Sequence, residues 1–297
     1  MRYLSDEKTM ITIGDVCPIF FHTLKYKYAN ESSFRQVFDK SDGILLQLFC
    51  DNGETPSAYL NDKVNGFREE IDFLTYDVNE KTIMYYTYIY PSEGVYTITV
   101  EKDESEEFEV CDSSGWCLVE YTHKDNNSAF DDIFWADATQ LTFKMRIPGG
   151  FKPSGVSMEV VNEQFVNQRQ ELIELYSIPY VVKTLSIGDV NGVPYWIAEH
   201  LNKVLCLSDV KINGEGYIRE GNSKPEKVET LGKKETFLWS VNLRPAVNPV
   251  AGIGGKKEKG TSVSVVGFSI KSPTDGEVLV YDANEGAFVN SETLSSN

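Results

Sequence analysis

Histidine is scarce in this chain and its cations are outnumbered. Three histidines and 28 lysines and arginines stand beside 45 aspartates and glutamates in 297 residues, for a formal net charge of −17. Phosphate backbones and anionic lipid surfaces are held by clustered Lys and Arg, so nucleic acid and membranes are not expected partners. No apolar run is long enough to span a bilayer. The amino-terminal MRYLSDEKTMITIGD carries acids where a secretory leader needs an apolar core. Five cysteines (Cys17, Cys50, Cys111, Cys117 and Cys206) leave one over in any pairing scheme. Cys111 and Cys117 stand too far apart for a C-x-x-C motif, so the expectation is free thiols made in a reducing cytoplasm, without zinc.

The parts of an active site are also missing from the pattern. His22 and His123 have no Cys, His or H-E-x-x-H partner nearby. Ser114-Gly115-Trp116 and Ser154-Gly155 make no G-x-S-x-G elbow. Gly252-Ile253-Gly254-Gly255-Lys256-Lys257 lacks the spacing of a phosphate loop and the Ser or Thr that would follow its lysine. The acidic stretches Asp125 to Asp132, Asp189 to Gly192 and Glu101 to Glu109 lack the ligand order of calcium loops. A glycosidase pair could be drawn from any two strands, but abundance of carboxylates singles none out. The expectation is no enzyme, with no catalytic residue, metal, cofactor or small-molecule ligand.

What is present is a Tyr- and Phe-rich chain with frequent turn residues, which points to a mainly β fold. Residues 1–33 read as an amino-terminal arm and 34–112 as an antiparallel β-sandwich, immunoglobulin-like or of another kind. Its strands are Ile44 to Phe49, Glu69 to Tyr76, Thr82 to Tyr90, Glu93 to Val100 and Glu106 to Val110. Tyr96, just after Gly94 at the start of a late strand, matches the corner tyrosine of immunoglobulin-like domains. In TIMYYTYIY, Tyr85, Tyr86, Tyr88 and Tyr90 fall on both sides of one strand, more aromatic surface than one sandwich face hides. They are candidate partner-binding residues, with ordinary cross-strand packing as the alternative.

Residues 113–248 read as a mixed β-α-β-β domain. Pro148-Gly149-Gly150 and Lys152-Pro153-Ser154-Gly155 mark turns and make its first part irregular, and Pro179 interrupts the extended segments from Glu171 to Ile187. A helix over about 194–206 follows, opened by Pro194. Val193, Trp196, Ile197, His200, Leu201, Val204, Leu205 and Leu207 form one apolar stripe on it, which makes His200 a core histidine. Residues 249–262 read as a flexible Gly- and Lys-bearing linker and 263–297 as an attachment hairpin.

That last segment, SPTDGEVLVYDANEGAFVN, resembles a module of bacteriophage tail and tail-fibre proteins of the form P-x-D-G-x-V-L-V-Y-D-x-x-x-G-x-(aromatic)-V-N. The stretch with KTLSIG, GVPYWI and INGEGY is similar to tail-region proteins of phages and prophages. The resemblance implies a structural component of a virion (tail, baseplate or collar/ring) that oligomerises and offers an attachment point for a fibre or adjacent ring. It implies copies of itself and other tail, collar or fibre proteins as partners. Val278, Leu279, Val280, Tyr281, Phe288 and Val289 are then the docking candidates, unless the terminal hairpin packs on its own domain. A carbohydrate-binding adhesion sandwich, with exposed tyrosines stacked on sugar rings, is the alternative function.

Overall fold

The computed structural model describes residues 2–3, 11–21, 34–51, 53–112, 115–124, 135–136, 139–231 and 236–247, and three short strands beyond them. The fold is mainly β, with one short helix among the described residues. By contacts the chain divides into Met1–Ala251 and Gly252–Asn297.

The first unit begins with eleven strands: β1 (Arg2–Tyr3), β2 (Thr12–Ile13), β3 (Gln36–Phe38), β4 (Ile44–Asp51), β5 (Ala58–Asp62), β6 (Arg68–Glu70), β7 (Leu74–Asp77), β8 (Thr82–Ile89), β9 (Gly94–Val100), β10 (Asp103–Glu104) and β11 (Phe108–Val110). They make two sheets, β1-β2-β4-β8-β7 and β3-β11-β9-β5-β6, with β10 paired to β9. The orders β2-β4-β8-β7 and β11-β9-β5 make the two sheets of a β-sandwich. Both sheets feed one buried cluster, with Ile44, Leu46 and Leu48 from the first and Ile98, Val100 and Phe108 from the second. Tyr96 is buried near the start of β9, and its hydroxyl lies 3.2 Å from Ser92 Oγ, four residues upstream. A Cβ on Gly94 would come 3.0 Å from that hydroxyl, so the glycine leaves room for the corner.

Residues 11–21, assigned by patterning to an arm, belong to the core instead. Ile11, Ile13, Cys17, Ile19 and Phe21 are buried in the sandwich cluster, and β2 pairs with β4. Only the short spacing of these apolar residues hid them; Ile11 and Ile13 alternate as a strand does.

The rest of the unit holds β12 (Cys117–Thr122), β13 (Trp135–Ala136), β14 (Thr139–Gln140), β15 (Phe143–Ile147), β16 (Gly149–Val166), β17 (Leu172–Ile187), α1 (Tyr195–Val204), β18 (Asp209–Ile212), β19 (Glu215–Arg219), β20 (Glu226–Leu231) and β21 (Thr236–Pro245). A large sheet runs β15-β12-β18-β19-β21-β17-β16, with β20 also on β21. Ile197, Leu201 and Val204 turn one face of α1 into its core, alongside Leu185, Val241 and Leu243.

That second core also contains Val16, Leu45, Phe49 and Met84 from the sandwich. β4 therefore sends Ile44, Leu46 and Leu48 to one core and Leu45 and Phe49 to the other, and nearly all of it is buried. A strand covered on both faces reads as a continuous apolar run, which is what ILLQLF is. Polar ties cross the same junction. Arg146 donates to both oxygens of Asp42 at 2.6 and 3.1 Å, Gln36 Nε2 donates to the Arg146 carbonyl at 2.9 Å, and Tyr121 donates to the Val16 carbonyl at 2.7 Å.

The region around Pro148 to Gly155 lies within a strand and carries the irregularity expected of it as a break in register. Gly149 and Gly150 take positive φ inside β16, and a Cβ on Gly149 would sit 2.2 Å from the Ser186 carbonyl oxygen. Glycine at that position permits the strand to continue where any other residue would push it off β17. The register shift between Phe151 and Val156 absorbs Lys152 to Gly155 as a bulge.

In the second unit β22 (Phe268–Ser269) pairs parallel with β24 (Ala287–Ser291), which pairs antiparallel with β23 (Val278–Asp282).

Candidate assembly surface

β16 and β17 together form a hairpin of 18 and 16 residues, far longer than its neighbours. Its register runs from Gly149↔Ile187 to Val166↔Leu172, but β21 accompanies β17 only over Lys183–Ile187. Beyond Lys183 the two strands continue as a two-stranded ribbon. At about 3.3 Å per residue, the stretch from Val156 to Val166 reaches roughly 35 Å.

The sequence specifies this ribbon at both ends. At its tip, Asn167 Oδ1 accepts from the amides of Arg169 (2.8 Å) and Glu171 (3.0 Å), and Asn167 Nδ2 donates to Glu171 Oε2 at 2.6 Å. Gln170 closes the turn at φ 64°. At its root, Tyr180 donates to Glu220 at 3.0 Å and lies under the Arg244 guanidinium. Lys183 Nζ donates to Tyr217 Oη at 2.8 Å and reaches Glu215 at 3.4 Å. The Tyr217 hydroxyl beside Lys183 raises the lysine's pKa, and the Tyr217 hydroxyl and Lys183 lower that of Glu215, so the root is charged at neutral pH. Tip and root are held by networks, and the shaft between them carries mostly exposed side chains.

The shaft's chemistry is unusual for a solvated hairpin. Of the twenty exposed large apolar side chains among the described residues, eleven lie between Val156 and Ile178. Met158 is 88 % exposed and Leu172 63 %. Cross-strand partners share a face, so Val156, Met158 and Val160 stand with Pro179 and Val181 on one side. Val161 and Phe165 stand with Ile173, Tyr176 and Ile178 on the other. Isolated exposed apolar residues are ordinary, whereas a concentration on one element marks a contact surface.

The residues singled out from sequence lie elsewhere. Tyr85 points into the sandwich, with its hydroxyl donating to the Glu54 carbonyl at 3.0 Å. Tyr86 and Tyr88 pack against the second core, and Tyr88 Oη both donates to the Thr142 carbonyl (3.3 Å) and accepts from the Thr142 amide (2.9 Å). Tyr90 alone is exposed, at 67 %. The four do not form an outward aromatic patch: β8 is half-buried, with Tyr85 in one core and Tyr86 and Tyr88 packed against the other. Val278, Leu279, Val280 and Tyr281 form β23 and Phe288 and Val289 lie in β24, with Val280 opposite Val289 and Tyr281 opposite Phe288; their side chains lie outside the described residues.

His200 is buried, its Nε2 3.3 Å from Tyr121 Oη and its ring against Phe20. Burial pushes its pKa down to about 3, with Lys203 adding to the effect and Asp15 opposing it. None of the five cysteines is in a disulfide, and burial raises Cys50 to about 12 and Cys117 to about 11, with nearby acids adding to the rise at Cys50. Among the described residues no group of His, Cys, Asp and Glu could hold a metal ion. No helix among them is long and apolar enough to cross a membrane.

The signal that would have found the ribbon was present. VSMEVVNEQFV and LIELYSIPYVV are strand-like runs flanking the polar turn NQRQE. The Pro-Gly clusters before the first run and Pro179 inside the second concealed it.

No family model, curated protein or solved structure matches this chain.

Proposed function

We propose that this chain is a non-catalytic structural subunit of a bacteriophage virion, a tail, baseplate or collar/ring component that oligomerises and offers an attachment point. The observation that carries the assembly half of this reading is the β16–β17 ribbon, with exposed apolar side chains on both faces. Burying a large apolar side chain contributes about 1.5–3 kcal/mol as an upper figure, so a partner covering even part of the shaft has a substantial driving force. The virion half rests on the phage-like wording of residues 268–297 and of the segment around α1.

The attachment role falls to Val278, Leu279, Val280, Tyr281, Phe288 and Val289. A three-stranded sheet offers backbone edges to a partner without sequence-specific chemistry. Removal of Pro273 to Asn297 is expected to leave a folded protein that assembles but no longer captures its fibre or neighbouring ring. Normal capture by the truncated protein in a reconstituted particle would refute the assignment. The adhesion alternative loses its motivation, since three of the four tyrosines it needed for sugar stacking are turned inward.

A further inference from the structure

We infer that two copies of this chain pack one face of their ribbons together, antiparallel, about a two-fold axis at Val160. This rests on the reading of the chain as a self-assembling subunit, and names the face, the register and the symmetry of the contact.

The two faces of the ribbon differ at the root. β17 carries Leu185 and Ile187 into the second core, and Lys183 lies opposite Leu243 of β21, which is buried in that core too. Side chains two residues apart on a strand share a face. The core side of the large sheet therefore runs on past Lys183 into Val181, and into Val156, Met158 and Val160 on β16. At the root this face has a second layer: Arg219, paired with Leu243, donates to the Leu205 carbonyl at the end of α1 at 3.2 Å. Farther out that layer ends. Val156 is 44 % exposed, Met158 88 % and Val160 54 %. An apolar face of this kind without a second layer marks a contact with another molecule.

Charge selects that molecule. Between Val156 and Val166 the face carries one cation and one anion, Lys183 opposite Val156 and Glu174 opposite Gln164. Val160 is midway between those two levels, about 13 Å from each. When a second ribbon is turned end for end over Val160, Val156 of one copy overlies Gln164 of the other. Each Lys183 then meets the other copy's Glu174, Met158 falls on Asn162, and Val160 falls on itself. The cation and the anion exchange places under the two-fold axis, so the surface is complementary to its own copy. Complementary charge fixes register, while burial of the apolar side chains supplies the affinity. Two sheets stack face to face with strand directions within about 30° of each other, which ribbons laid end for end satisfy.

The other arrangements set like charges together. The opposite face carries Glu159 and Glu163, the partners of Tyr180 and Tyr176. A two-fold axis over Val161 would lay each Glu159 on the other copy's Glu163 and gather four carboxylates. Ribbons stacked in the same direction, one face on the opposite face, would bring Glu163 over Glu174 of the next copy. Like charges across strands are destabilising. These same acids leave neither face clean enough to lie against hydrocarbon.

The test adds single cysteines to the full chain, with the wild type as the baseline for its own thiols. Val160→Cys sits at the axis and is expected to cross-link to itself through a short bismaleimide, giving a covalent dimer. Val161→Cys, on the opposite face, should give no more dimer than wild type. An equimolar mixture of Val156→Cys and Gln164→Cys should cross-link, whereas either alone should not, since like positions lie roughly 26 Å apart. A dimer from Val161→Cys, self-linking of Val156→Cys, or no linking at Val160→Cys or in the mixture would overturn the packing. If wild type still sediments as an oligomer in those cases, self-assembly stands. A wild type that is monomeric at every concentration overturns the assembly reading too.

The charge pairing has its own readout. Glu174→Lys should raise the dimer dissociation constant at least about tenfold, because like pairs replace both attractive ones, and added salt should narrow the gap. Glu163→Lys, on the opposite face, should not weaken the dimer. Equal dissociation constants for wild type and Glu174→Lys, both folded by circular dichroism, contradict the register. Wild-type binding to phosphatidylcholine–phosphatidylglycerol vesicles, abolished by Met158→Ser, would assign the face to lipid and also count against the proposal.

Discussion

Strand β8 and the β16–β17 ribbon are the two most conspicuous apolar, aromatic stretches in the chain, and they have opposite fates. β8 places Tyr85 in the sandwich core and Tyr86 and Tyr88 against the second core, so the chain covers its own aromatics. The ribbon carries a comparable load past the last residue that β21 accompanies, and among the described residues it stays exposed. Apolar content alone does not separate an internal seam from an external one. What separates them is whether the same chain supplies a second layer within reach.

The comparison is broken most severely by separating the layers that cover β8. Asp42→Ala leaves the Arg146 guanidinium, only 12 % exposed, without its bidentate partner. Stranding one member of a buried pair costs roughly 3–5 kcal/mol; urea unfolding should show a loss of that size. Next comes Tyr88→Ala, which removes a ring from the second core and both hydrogen bonds to Thr142. A large-to-small change of this kind costs about 3 kcal/mol. Met158→Ser on the ribbon should leave the stability of the monomer within about 0.5 kcal/mol while weakening assembly. A large loss from the ribbon substitution, or none from the tyrosine, reverses the assignment of inside and outside.

Through His200, acid probes the covered side. His200 is neutral in the fold, with its pKa lowered to about 3, while the unfolded chain takes up a proton near 6.5. Below pH 6.5 the unfolded state therefore binds more protons, and stability falls at up to about 1.4 kcal/mol per pH unit until the folded pKa is reached. Above 6.5 the contribution is fully present. The difference between wild type and His200→Gln, followed by thermal melts from pH 7 to 4, isolates this slope; identical pH profiles would contradict a neutral, buried imidazole. The smallest effect belongs to Tyr90→Ala, exposed at the end of β8, with a change within about 0.5 kcal/mol.

Much of the covered side could be read from residue order. ILLQLF announced a strand buried on two faces, the 3.6-residue spacing from Val193 to Leu207 announced α1 and the burial of His200, and Gly94 with Tyr96 announced a sandwich corner. The tyrosines of β8 exceed what one sandwich face holds, and Tyr86 and Tyr88 pack against the core under the chain's own large sheet. That cover comes from residues such as Thr142 and Val119, far from β8 in sequence, and such long-range partners leave no local period. The ribbon was obscured for a different reason: Gly149, Gly150, Pro153 and Pro179 look like breakers. Their roles as a close-approach position, a bulge and a paired strand site depend on which side of a ladder each backbone faces.

The central claim is that the exposed shaft of the ribbon holds copies of this chain together and contributes nothing to the fold beneath it. Replacing Met158 to Val181 by an Asn-Gly turn joins Ser157 to Val182, which already face each other across the hairpin. Native mass and melting temperature of this shortened chain, measured beside the full chain, test the claim directly. The account predicts an oligomer for the full chain, a monomer for the shortened one, and melting of the shortened monomer at the temperature set by its unchanged cores. Equal masses for the two would contradict it.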